Sequence, residues 1–386
     1  MTMPLDGIRV LEFTHAVMGP SAGLILADLG AEVIRIEPPG GDPTRHLKGM
    51  GTGYFPFYNR NKKSVVLDLK SPEGLDSAKS LIECSDIMIE NFAPGTIDRL
   101  GLGYDQLKKS NPRLIYCSLK GFLPGPYEKR LAMDEVVQMM SGLAYMTGPR
   151  DQPLRAGTSI IDITGGMFGV IGILSALYQR QRTQQGSIVK TALFETAAFT
   201  MGQHMAYAAK SQEPVPPMPE RVSAWSVYQI FKAKNNEPIF LGIISDQQWH
   251  RFVEAFDLKP FKNRPDLATN NRRIDAAEEV IAEITRTLQD LDRDDICRRA
   301  QAAGIPYAKV STPEDLFDDP QMTQNDSLLA SEITGKGETY LPNLPLEING
   351  ERPQLRRNPP QVGQNNGDYF SPTKPQEYFP ESRSIH

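Results

Sequence analysis

Cysteine and histidine are scarce in this 386-residue chain, which has three Cys and five His. Cys84, Cys117 and Cys297 are too few and too scattered for a disulfide framework or a zinc site, and are expected to be small buried or half-buried thiols. Five histidines leave little general base for Ser-His-Asp chemistry, and no H-E-x-x-H pair occurs. A strong charge of one sign is also missing. With 42 Lys+Arg against 47 Asp+Glu the net charge is −5, which argues against nucleic acid as a main partner. The most apolar stretch, 165–178, falls short of the roughly 18–20 residues that span a bilayer. The N-terminus, MTMPLDGIRVLEF, has no charged region ahead of a long apolar one, so a secretory signal is not expected. A soluble, cytoplasmic protein with no membrane partner follows. What is present, 40% hydrophobic and 23% charged residues, is a normal globular mixture, long enough for two domains.

The first third alternates strand and helix patterns. Strands are expected at 8–13, 31–37, 64–69, 86–90 and 114–118. Ser21 suits an N-cap before an apolar helix over 22–29, with Gly30 in the C′ position. Ser71-Pro72-Glu73 is a strong helix start. Short strands separated by helices imply crossovers and a mainly parallel sheet, an α/β domain with a doubly wound look. Glycines then crowd the middle of the chain. Residues 158–163 read as a strand or extended segment running into a buried helix over 165–182, and 187–193 as a further strand. The Pro-rich stretch 213–219 reads as a linker, and a small α+β domain follows it. The tail beyond Arg357 is rich in Pro, Asn and Gln, and is either disordered or wrapped along another surface.

Two places draw attention as sites. The turn from Thr14 to Pro20 holds only one glycine, so it is no dinucleotide fingerprint, yet a helix start at a strand's carboxyl end suits a phosphate or carbonyl. His15 lies in that turn, where a structural hydrogen bond and a ligand contact are equally good readings. Asp162 stands in an apolar run directly before Thr164-Gly165-Gly166. It reads as a helix cap, as a partner of a buried base such as Arg155, or as a carboxylate nucleophile beside glycine amides that bind an oxyanion.

The segments PLDGIRVLEFTHAVMGP, DLGAEVIRIEPPGGDPTR, NKKSVVLDLKSPEG, IENFAPGTIDRLGLGYDQLKKSNPRLIYCSLKGF, QMMSGLAYMTG and RAGTSIIDITGGMFGVIGILSALYQR cover most of residues 4–196. In their order and spacing the chain resembles the family III CoA-transferases, the group of formyl-CoA transferase and carnitine CoA-transferase. The resemblance implies that Asp162 is the nucleophile, passing through an aspartyl anhydride and an aspartyl-CoA thioester. It implies an acyl-CoA thioester and a small carboxylic acid as substrates, with no metal and no permanently bound cofactor. CoA would be held by His15, Ala16, Val17, Leu67, Lys70, Asn91, Phe92, Ala93, Arg99 and the stretch Leu131, Ala132, Met133 and Asp134. Arg45 is a further phosphate candidate from the residues themselves.

Formyl-CoA transferase has basic residues where this chain has Pro38 and Ala132, and a glutamine at Val17. Arg45, Lys62 and Lys63 are the cations expected to compensate. Its glycine-rich loop over the active site has no clear counterpart here. Racemases of 2-methylacyl-CoA share the fold and are the alternative, but their second base, a histidine, aligns near Met133, which exchanges no proton. A non-catalytic CoA-binding protein is the third reading. The family fold implies interlocked rings: a large Rossmann-like domain from both termini (1–210 and 311–386), a linker (211–224), a small α+β domain (225–310), and a homodimer whose C-terminal tail wraps on its partner.

Overall fold

A computed structural model describes residues 3–333 and 335–370. Two compact units form, one from residues up to Pro219 together with those from Pro320, the other from Glu220–Asp319. The first unit is built on six parallel strands: β1 (Arg9–Phe13), β2 (Glu32–Glu37), β3 (Lys62–Val66), β4 (Ile87–Glu90), β5 (Ile115–Lys120) and β6 (Ser187–Ala192). Their order is β3-β2-β1-β4-β5-β6, with Leu11 opposite Ile34 on one side and Met88 on the other. Strands of a covered parallel sheet are apolar on both faces. Here Val10, Val33, Ile87 and Ile115 pack on one face, and Leu11, Ile34, Met88 and Tyr116 on the other. The order reverses between β1 and β4, and a crevice opens there at the strands' carboxyl ends, the usual ligand position in such sheets.

Helix α1 (Met18–Asp28) follows β1. It starts three residues before the expected cap, so Ser21 lies inside its first turn, buried, and donates to Met18 O at 2.8 Å. Gly30 takes φ +111° just beyond its end, a conformation that favours glycine. Helix α2 (Pro72–Glu83) is capped by Ser71, whose Oγ accepts from Gly74 N at 3.0 Å. Helix α3 (Tyr104–Ser110) precedes β5, and α4 (Asp134–Met140) follows it.

Helix α5 (Ile160–Thr183) corrects the sequence reading of 158–163 as extended. The β-branched run Ile-Ile-Asp-Ile-Thr has strand propensity, but packing and a cap from α4 override it. With 24 residues, α5 has the length and apolarity of a membrane span. Its glycines seat it inside this unit. A methyl on Gly166 would meet Met18 O of α1 at 2.7 Å, and one on Gly169 would meet Leu119 of β5 at 2.9 Å. After β6 come α6 (Leu193–Thr200) and α7 (Gly202–Ser211).

The C-terminal part of this unit covers the open edge of β3. Asn365 N donates to Ser64 O at 2.9 Å, Ser64 N donates to Asn365 Oδ1 at 3.1 Å, and Val66 N donates to Asn366 Oδ1 at 2.9 Å. Unpaired strand edges invite aggregation, and this strap removes one. Residues 358–370 thus lie on their own chain. Residues 371–386, the rest of the tail expected to wrap on a partner, lie outside the described residues. The second unit is an antiparallel sheet, β7 (Val227–Lys232), β8 (Pro238–Ile243) and β9 (Tyr307–Lys309), packed with α8 (Asp246–Ala255), α9 (Ala277–Leu288) and α10 (Arg293–Ala302) around Trp249, Phe252 and Ile284.

Candidate active site

A cleft of about 430 Å³ opens at the carboxyl ends of β1, β4 and β5. One wall is the turn His15-Ala16-Val17, in which Ala16 takes φ +61°, a left-handed conformation unusual for a residue with a Cβ. Asn91 holds this turn open from the end of β4: it accepts from His15 N at 3.0 Å and donates to His15 O at 2.9 Å. Phe92 stacks on the His15 ring, centroids 6.2 Å apart. Burial pushes the His15 pKa below its ordinary value. Val17 caps α1 without a side-chain bond, and the amides of Val17, Met18 and Gly19 find no acceptor among the described residues. Val17 and Met18 line the cleft, so a helix start with unbonded donors stands at its edge.

Asp162 also lines the cleft, in the first turn of α5. It caps nothing. Ile160 N donates to Thr158 O at 2.8 Å, and Ile163 N to Ser159 O at 3.0 Å. The two amides between them, Ile161 N and Asp162 N, both donate to Asp134 Oδ2, at 2.8 and 2.9 Å. The side-chain cap is therefore supplied from another helix. The Asp162 carboxylate has no hydrogen bond and no ion pair among the described residues; Arg155, the expected partner, pairs with Glu135 at 3.0 Å. Burial, reinforced by the nearby Asp134 charge, pushes the Asp162 pKa up to about 7. Gly165 and Gly166 are not oxyanion donors: they sit in the second turn of α5, where amides serve the helix, and their bare faces meet α1.

Of the residues the sequence singles out, His15, Ala16, Val17, Asn91, Phe92, Ala93, Leu131, Ala132, Met133, Asp134 and Asp162 come together around this cleft. Leu67, Lys70, Arg99 and Arg45 are not among its lining. Leu67 is buried in the opposite core, Lys70 lies exposed in the turn before α2, and exposed Arg99 bonds Thr96. The cations expected to take over phosphate binding are already paired. Arg45 grips Glu37 with Nε at 2.8 Å and Nη2 at 2.6 Å, and stacks on Phe55. Lys62 is fully buried against Glu12 Oε2 at 2.8 Å and Pro20 O at 2.9 Å, and burial lowers its pKa to about 8. Lys63 pairs with Glu32 at 2.7 Å. Glu12 and Glu32, the partners of Lys62 and Lys63, lie on other strands of the sheet, a long-range pairing with no local sequence signal, whereas Glu37 ends β2 just before the turn that carries Arg45. Arg130 is the lining cation without an acidic partner among the described residues; its guanidinium lies over Tyr127. Lys120 reaches the cleft with Nζ bonded to Glu90 at 2.6 Å and Phe92 O at 2.7 Å.

Sequence reasoning missed the bracing role of Asp134 and Gln138, which share a face of α4 at i and i+4. Gly19-Pro20-Ser21-Ala22-Gly23 has the spacing of a hydrolase nucleophile elbow, but Ser21 is buried inside α1 with its hydroxyl turned onto Met18 O, so it serves no such role. No group of three or more His, Cys, Asp or Glu among the described residues is placed to hold a metal ion.

The chain as a whole has relatives among known proteins. The chain is 33% identical to an acetyl-CoA:oxalate CoA-transferase of Acetobacter aceti, over 90% of each chain. It is 31% identical to a succinate–glutarate CoA-transferase of Agrobacterium fabrum, over 94% of each. A crystal structure of a CaiB/BaiF family protein from Brucella suis superimposes with a TM-score of 0.83 at 28% identity, covering 95% of this chain and 98% of that one. The family model for CoA-transferase family III matches residues 5–366, nearly the whole chain. The protein belongs to family III of the CoA-transferases.

Proposed function

We propose that the protein moves CoA from an acyl-CoA thioester to a small carboxylic acid, with Asp162 as the covalent nucleophile. The observation that supports this most is the Asp162 carboxylate itself: in the cleft, unbonded, and held at a raised pKa. A carboxylate with no cap to make and no base to neutralise is available for attack.

An Asp162 oxygen attacks the thioester carbonyl; the C–S bond breaks, CoA thiolate leaves, and an aspartyl–acyl anhydride forms. The thiolate then attacks the aspartyl carbonyl, releasing the donor acid and leaving an aspartyl-CoA thioester. The acceptor carboxylate attacks that thioester, giving a second anhydride and free thiolate. Attack of the thiolate on the acceptor's acyl carbon yields the new acyl-CoA and restores Asp162. No electron is gained or lost and no proton needs to move. The free amides of Val17 and Met18 are the donors nearest in kind to an oxyanion hole, since they lie unbonded at a helix start in residues that line the cleft. The relatives' names point to succinate, glutarate and oxalate as the first acceptors to try. Met133, on the cleft wall, carries no exchangeable proton, so racemisation by a base at that position is not expected.

We propose further that the protein is cytoplasmic and works as a homodimer. A row on the outer face of α5, Met167, Ile171, Leu174 and Tyr178, stays exposed in one chain, with Phe199 of α6 and Met205 of α7 also exposed. An exposed apolar face of this kind marks an interaction surface, and a second copy is the occupant that the family resemblance implies.

The test of the activity is transfer of CoA from acetyl-CoA and succinyl-CoA to a panel of such acids. Asp162→Asn is expected to abolish turnover, and hydroxylamine added to wild type with acyl-CoA alone is expected to convert Asp162 to a hydroxamate detectable by mass. Full turnover by Asp162→Asn would refute the mechanism.

A further inference from the structure

Gln138 and Asp134 grip both ends of the segment that leads into α5. Fully buried Gln138 accepts from Ala156 N with Oε1 at 2.9 Å, while its Nε2 donates to Asp134 Oδ1. Buried Asp134 spends its other oxygen on the amides of Ile161 and Asp162. α5's own N-cap residue, Ser159, makes no side-chain bond. Ordinarily an aspartate in a first helical turn is stabilised by that turn's amides and dipole. In this chain a foreign carboxylate has taken those amides, and Asp162 is left beside a second negative charge.

We infer that Asp134 is a positioning residue for the transfer reaction: by occupying the α5 amides it fixes the first turn and keeps the Asp162 carboxylate unbonded and facing the cleft. This rests on the reading of Asp162 as nucleophile. Two separable effects follow. The hydrogen bonds set the place of the Asp162 carboxylate. The charge of Asp134 disfavours ionisation of Asp162 and makes it a more basic, stronger nucleophile once ionised. The other titratable or charged groups around Asp162 are His15 from the β1–α1 turn, Tyr54 and Tyr58 from the short helix Tyr54–Tyr58, Glu135 of α4 with its partner Arg155, and Arg130 and Lys120 farther along the cleft. His15 has its pKa lowered by burial, and Arg155 is held by Glu135, so Asp134 is the charge expected to dominate.

The experiment compares Asp134→Asn, Asp134→Ala and Asp162→Asn with wild type, following CoA transfer kinetics from about pH 5 to 9 and thermal unfolding alongside. Asp134→Asn keeps a side-chain carbonyl for the two amides and removes the charge, giving up only the bond from Gln138 Nε2, which then meets the new NH2 group. It is expected to hold its fold and to shift the acid limb of kcat/KM for acyl-CoA to lower pH, because Asp162 then ionises more easily. Asp134→Ala loses the cap as well, and is expected to lose roughly ten- to a hundredfold in kcat with a smaller change in KM. A folded Asp134→Asn whose acid limb and kcat match wild type, while Asp162→Asn is inactive, overturns the inference and leaves the nucleophile standing. Turnover by Asp162→Asn instead overturns the reading beneath it.

Discussion

Asp162 occupies a place that opposes its own charge, and this has a cost in stability. An acid whose pKa is raised by folding favours the folded state when protonated. The stability linked to Asp162 is therefore fully present below its ordinary value of 3.8 and is lost as pH rises through about 7. Asp162→Asn removes the penalty. It is expected to be more stable than wild type at pH 8, by on the order of 1–3 kcal/mol once partial exposure is discounted, and equal to it near pH 4. Chemical denaturation at the two pH values measures the difference; a variant less stable at pH 8 would contradict it. The apolar neighbours of Asp162 made it conspicuous in the sequence. What the sequence hid was its release from capping, because the carboxylate that does the capping lies 28 positions away on another helix. The same holds for Lys62, whose partner Glu12 lies on another strand of the sheet.

At the level of elements, α5 is held by the absence of side chains. Gly165 and Gly166 admit α1, while Gly169 and Gly172 admit β5 and β6. A side chain at Gly166 would meet main chain of α1, which yields little. Gly166→Val is expected to cost about 1–3 kcal/mol and to depress transfer, since the displaced wall carries Val17 and Met18. Gly157→Ala, with open space around it, serves as the control and is expected to be neutral. Urea unfolding of both variants decides the point; equal losses would mean that the helix contact is not what the glycines preserve. The strands of the sheet were legible within a few residues because buried parallel strands carry continuous apolar runs. Residues 158–163 were not, since a short β-branched run fits a strand or a packed helix equally well until its cap is known.

For the molecule as a whole, the apolar row on α5 sets the expected assembly. Ile171 and Tyr178 are 56% and 60% exposed, and Phe199 of α6 is 72% exposed. Ile171→Glu is expected to shift the protein from dimer toward monomer in analytical ultracentrifugation; a wild-type protein that sediments as a folded monomer would remove the basis for the proposal. The outer layout, a parallel sheet followed by a smaller unit, followed from element order and the Pro-rich stretch 213–219. The covered edge did not, since Asn365 and Ser64 stand 301 positions apart. That separation governs how the chain comes off the ribosome. When β3 emerges, the residues that will shield it are not yet made, and the whole of Glu220–Asp319 must be synthesised first. Until residues 365–366 have been made, the margin of β3 that they cover has no partner from its own chain.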